Sequence, residues 1–168
     1  QPYEQFPLVC GMSTYMADGS YEPEVIWNDF DSAKEGYTDS AAAGTAMSTA
    51  VKTYKGAIGV DTDKKPVKHL IQHCEQLGMA TGVITSVPFN HATPAAHVAH
   101  NESRDNYKEL AREMIYKSGC EVIMGCGNPF YNNDGEKRSK PRWKYLDSRT
   151  WTDLEKGLAG GDCDNDGI

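Results

Sequence analysis

No run of about 18 apolar residues, the minimum for a membrane-crossing helix, occurs in this chain. Basic residues are too few for a nucleic-acid surface. The 17 Lys and Arg are outnumbered by 24 Asp and Glu, giving a net charge of −7. They are scattered rather than gathered in a stripe, and the short cluster from Lys137 to Arg142 reads as a solvated loop. The five cysteines (Cys10, Cys74, Cys120, Cys126 and Cys163) match no CxxC or zinc-ribbon spacing, and an odd count leaves at least one unpaired within the chain. There is no initiator Met and no signal peptide, so Gln1 is expected not to be the natural start. No internal repeat or low-complexity tract is present. What remains is the composition of a soluble globular protein, 39% hydrophobic and 24% charged. At 168 residues it fits one domain with a real core.

Hydrophobic patterning organises the chain. Residues 6–14 read as a strand, and 15–37, polar and aromatic with little period, as a loop or insertion. From Ser40 to about Lys52, alanines predict a helix capped by Thr38 or Asp39 and packed very closely, with the sheet as the expected partner. Pro66 stands where a first helical turn would begin, with Val67, Leu70, Ile71, Cys74 and Leu77 at helical spacing and Gly78 as C-terminal cap. Residues 80–86 read as a buried strand, 104–117 as a helix, 121–124 as the next strand and 151–158 as a short helix. Residues 128–168 otherwise read as irregular. The alternation predicts an α/β fold with a mostly parallel central sheet flanked by helices. Ligands in such sheets sit at the carboxyl ends of the strands.

Three groups of residues there carry chemistry. Ser40, at a helix N-terminus, has its hydroxyl beside free N–H groups and the positive end of the helix dipole, a setting that favours phosphate. Alone, Ser40 is more plainly an ordinary cap. His91 and Thr93 follow the 80–86 strand and can both face an ion, although Thr93 is equally a cap for a helix opened by Pro94. His97 and His100 read as surface or packing residues. Arg104, at a helix start, faces the wrong end of the dipole, so an anion or a carboxylate such as Asp39 is its expected partner. A fourth group, Asp162-Cys-Asp-Asn-Asp-Gly167, fits the opening of a calcium loop with Asp162, Asp164 and Asp166 as ligands.

Together the segments Thr38-Asp-Ser-Ala-Ala-Ala-Gly-Thr-Ala46, Thr49-Ala-Val-Lys-Thr-Tyr-Lys-Gly-Ala-Ile-Gly-Val60, Gly78-Met-Ala-Thr-Gly82, His91-Ala-Thr-Pro-Ala-Ala96, Val98-Ala-His100 and Ser103-Arg104 resemble the alkaline phosphatases, in order and spacing, over residues 6–127. The resemblance implies a partial alkaline phosphatase-like catalytic domain over 1–168, hydrolysing small phosphate monoesters through a phosphoserine at Ser40. It implies Ser40 as a zinc ligand, Arg104 as a bidentate phosphate clamp, Asp39 as its orienter and the Ala41 N–H facing phosphate. Thr93 would ligate magnesium, with His91 at that site directly or through an intermediary. Two zinc ions and one magnesium are implied, as are a homodimer and a periplasmic or secreted setting. The family's Asp-Gly motif and its remaining zinc ligands are absent, so the chain is expected to need the remainder of the polypeptide. Two rival expectations stand beside this one: an extracellular calcium-binding module without catalysis, and a phosphodiesterase or sulfatase relative. Ala41-Ala42-Ala43 after Ser40 lacks the x-Pro-x-Arg of the sulfatases.

Overall fold

A computed structural model describes residues 5–8, 14–19 and 22–159. Most of the strand expected over 6–14 and the whole calcium loop at 162–167 lie outside the described residues. Within the stretch expected as a loop over 15–37, Pro23–Asn28 form a one-and-a-half-turn helix, α1. Pro23 at its first position has a fixed φ suited to a helix start and no N–H to leave unpaired. A 3₁₀ turn, Phe30–Lys34, follows, the Asp31 N–H donating to the Asp29 carboxylate at 3.0 Å.

Helix α2, Ser40–Thr49, begins where expected because the Asp39 side chain accepts from the Ala42 N–H. It ends at Ala50, whose φ of 61° is left-handed. Among the described residues its close partner is the short helix α4, Ala92–Ala95, rather than the sheet. A Cβ added at Gly44 would come within 2.8 Å of the Ala96 Cβ, and the Ser48 hydroxyl donates to the Ala96 carbonyl at 2.5 Å. Small residues on both sides make this approach sterically available.

Pro66 does not open a helix. It pairs with Val60 in an antiparallel bridge, and the next N–H, of Val67, donates to the Gly59 carbonyl at 2.9 Å. Helix α3 therefore starts later, at Leu70–Gln76. At its entrance His69 is fully buried against Gly59, whose φ is +58° and whose missing Cβ leaves the room the imidazole fills. The His69 ring lies 4.5 Å from that of His100. His100 is held between the Glu113 carboxylate, 2.9 Å from Nδ1, and the Val67 carbonyl, 3.1 Å from Nε2. Burial, with His100 adding to it, pushes His69 down to about 4.

Strands β1, Gly82–Pro88, and β2, Val122–Cys126, pair in parallel, with Gly82 opposite Val122 and Ile84 opposite Met124. The crossover between them carries α4 and helix α5, Tyr107–Tyr116. The β1 strand was expected to be buried, yet Ile84 is 72% exposed. Its register partner Met124 is 56% exposed on the same face, so among the described residues no element covers the sheet there. Helix α6, Ser148–Glu155, is capped by Asp147 and starts three residues before the expected position. The core gathers Ala41 of α2, Ile58, Ala92, Ala95 and Ala96 of the α4 region, and Leu110 and Met114 of α5. The fold is α/β, a partial domain.

Candidate active site

The residues that cap α2 and precede α5 converge. Asp39 uses both oxygens: Oδ1 accepts from the Ala42 N–H at 3.0 Å and the Gly56 N–H at 3.2 Å, and Oδ2 accepts from Arg104 Nη1 at 2.9 Å. The Arg104 N–H in turn donates to the Gly56 carbonyl at 2.8 Å. Asp39, Gly56 and Arg104 thus close a ring of hydrogen bonds in which each holds the other two. Gly56 has a φ of +90°, which a residue with a Cβ rarely adopts, so the ring depends on glycine at this corner. Burial acts most strongly on Asp39 and opposes its ionisation. The hydrogen bonds from Ala42, Arg104 and Gly56 and the Arg104 charge together outweigh it and hold the carboxyl below its usual value.

Arg104 is not on a helix, contrary to the expected 104–117 range. Asn106 occupies the N-cap position of α5, and Arg104 sits in the preceding turn, fixed by its backbone to Gly56. Only one of its guanidinium nitrogens has a protein partner among the described residues, which leaves the rest of the fork open. Ser40 is exposed at the first position of α2, while Ala41 is fully buried. The N–H groups of both have no protein partner among the described residues. Ser40, Asp39 and Arg104 line one open cavity of about 700 Å³ with Lys55, Tyr37 and Asp105. Such a site can hold a tetrahedral oxyanion against a hydroxyl.

His91 and Thr93 stand apart from that cavity. His91, in the N-cap position of α4, stacks on Tyr107 with ring centroids 6.4 Å apart. Burial lowers its proton affinity, and the Arg104 and Lys144 charges lower it further, so the neutral imidazole is favoured. Thr93 is the second residue of α4 rather than its cap, because the helix starts at Ala92, two residues ahead of Pro94. Its exposed side chain faces a separate groove of about 490 Å³ with Met47, Ser48 and His97. Among the described residues no three His, Cys, Asp or Glu side chains converge as a metal site would require.

One residue of this region escapes sequence reasoning. Asn90, fully buried, donates its amide to the carbonyls of Tyr107 at 2.6 Å and Tyr145 at 2.7 Å. It pins the end of β1 to the start of α5 and to the segment before α6. A lone Asn in a loop carries no signal of such a role.

Residues 1–153 match the family model described as alkaline phosphatase. Alkaline phosphatase 4 of Bacillus subtilis (strain 168) is 44% identical over 108 residues, 61% of this chain and 23% of that protein. The cold-active alkaline phosphatase of the psychrophile Shewanella sp. superposes with a TM-score of 0.59 and 38% identity, over 71% of this chain and 26% of that one. A variant of the alkaline phosphatase of the Antarctic bacterium TAB5, with magnesium bound, superposes with a TM-score of 0.52 and 32% identity, over 60% of this chain and 29% of that one. The chain spans about a quarter of the length of these relatives.

Proposed function

The chain belongs to the alkaline phosphatase family, and from that premise we propose that it carries the nucleophile segment of a phosphomonoester hydrolase in which Ser40 attacks phosphorus. The observation that carries this is the joint placement of Ser40, the Asp39–Arg104 ion pair and the unpartnered N–H groups of Ser40 and Ala41 around one cavity. Arg104, held by Asp39 and Gly56, offers its open fork to two phosphate oxygens. The N-terminus of α2 offers the Ala41 N–H and a favourable dipole to a third.

The Ser40 Oγ–P bond forms as the ester P–O bond breaks. The hydroxyl proton passes to solvent, and the departing oxygen takes one up. Water then attacks the phosphoserine, releasing inorganic phosphate and restoring the Ser40 hydroxyl. The described side chains do not compose a metal site by themselves. Two zinc ions and a magnesium ion, bound by the assembled protein, would neutralise charge on the entering and leaving oxygens. Ser40 would be offered to zinc, and Thr93 with His91 to magnesium. The neutral His91 imidazole is the form a metal or a bridging water requires. The TAB5 variant holds magnesium in its M3 site, which supports a magnesium ion in the assembled protein without assigning its ligands in this chain. Calcium at Asp162, Asp164 and Asp166 is a secondary proposal resting on spacing. Homodimerisation and a periplasmic or secreted setting rest on family membership.

In the full-length protein, Ser40→Ala is expected to lower turnover of a chromogenic phosphate monoester by about a thousandfold or more. Acid quenching of the wild type with substrate is expected to trap phosphate on the peptide containing Ser40. Undiminished hydrolysis by Ser40→Ala would overturn the assignment. A faster reaction on a diester or a sulfate ester than on the monoester would favour a relative on the same scaffold.

A further inference from the structure

The cavity at Ser40 is far larger than a phosphate group and holds a second cation. Lys55 Nζ lies 3.7 Å from the centroid of the Tyr37 ring, and both side chains line the cavity with Ser40 and Arg104. Among the described residues no carboxylate comes within 4 Å of Lys55 Nζ. Arg104, by contrast, has its charge partly compensated by Asp39 at 2.9 Å. Asp105 is the other acid lining the cavity, and it forms no ion pair with Lys55. Lys55 is exposed, so its side chain is free to meet a ligand. The Tyr37 ring, itself 55% exposed, gives the ammonium a resting place that an incoming anion can exploit without first breaking an ion pair. In a chain of net charge −7 this is a local feature and not the spill-over of a basic surface.

Resting on the phosphatase reading above, we propose that Tyr37 and Lys55 form a leaving-group subsite that selects phosphomonoesters carrying a second phosphate on their alcohol. The phosphate to be cleaved sits at Ser40 and Arg104. The second phosphate reaches Lys55, and the carbon skeleton between them lies along Tyr37. Lys55 and Tyr37 are specificity-determining residues and make no bond to the reacting phosphorus.

The test uses the full-length enzyme with its metals and two alkyl substrates that differ by one group, propane-1,3-diyl bisphosphate and propyl phosphate. Phosphate release gives kcat/KM for each. The ratio of bisphosphate to monophosphate is expected to fall about tenfold in Lys55→Met, a loss comparable to one charge-assisted contact. It is expected to stay within about twofold of wild type in Lys55→Arg, which keeps the cation, and to fall in wild type as salt is raised from 0.05 to 0.5 M. The change should appear in KM rather than kcat. Equal losses on both substrates, or an unchanged ratio in Lys55→Met, would overturn the subsite while leaving the phosphatase reading intact. No turnover of either substrate by the wild type would instead overturn the phosphatase reading.

Discussion

Acidification should weaken this fold in a defined window, through His69. Its imidazole is fully buried, and neither ring nitrogen has a hydrogen-bond partner among the described residues. A proton added there meets burial that the Gln72 side chain and the Glu113 charge do not offset, and it places charge 4.5 Å from His100, which the Glu113 carboxylate and the Val67 carbonyl already claim at both nitrogens. His69 accordingly titrates near 4 in the fold, against 6.5 for an ordinary histidine. Between those values the unfolded chain binds a proton that the native chain refuses, so stability rises with pH across the window. The contribution is complete above 6.5 and lost as pH falls to about 4. At about 1.4 kcal/mol per pH unit, the gap corresponds to about 3 kcal/mol. Urea unfolding followed by tryptophan fluorescence from pH 4 to pH 7 would measure it. The comparison is His69→Asn, which removes the titration and breaks no hydrogen bond of the ring. The two proteins should converge toward pH 4, where the wild type has lost this contribution, and the pH slope of the variant should be shallower by about 3 kcal/mol across the window. Equal slopes would refute the assignment, because carboxylates such as Asp39 and Asp147, also held below their usual values, contribute alike to both proteins.

Gly59→Ala should destabilise by roughly 2–5 kcal/mol, since its φ is +58° and the new Cβ would lie 2.3 Å from the Ala99 carbonyl oxygen, read as a lowered urea midpoint. Asn90→Ala should cost about 2 kcal/mol by removing both amide hydrogen bonds and leaving the Tyr145 carbonyl without its donor, while the Tyr107 carbonyl keeps its helical one, and amide exchange should accelerate at the start of α5 before it does in α2. Asp39→Ala should lower stability by about 2 kcal/mol through the lost cap and the lost Gly56 contact, whereas Asp39→Ser, which restores a capping oxygen, should recover about half of that in thermal unfolding.

Legibility in the sequence followed how local the determinants were. Helix α2 was readable because alanine propensity and the Asp39 cap act within a few residues. Its partner was not, since the match between Gly44 and Ala96 is a contact across 52 positions that periodicity does not encode. Pro66 misled because a proline suits a first helical turn and an isolated β-bridge equally, and the Val60 partner decided it. Asp39 was named as a candidate partner of Arg104 on a helix-start argument that the structure does not meet, since Arg104 lies in the turn before α5, yet the two form an ion pair at 2.9 Å. Its third member, Gly56, acts entirely through its backbone and so left no chemical signature.

The contact between Gly44 and Ala96 works as a rivet. With only the Ala96 methyl between the two backbones, and the Ser48 hydroxyl bound to the Ala96 carbonyl, sliding of α2 against the end of α4 is sterically opposed. The starts of the two helices carry Ser40 and His91, so this joint sets the spacing between the segment bearing the hydroxyl and the segment bearing the imidazole. A substitution that thickens this joint by a single methyl group would shift the two relative to each other while touching neither.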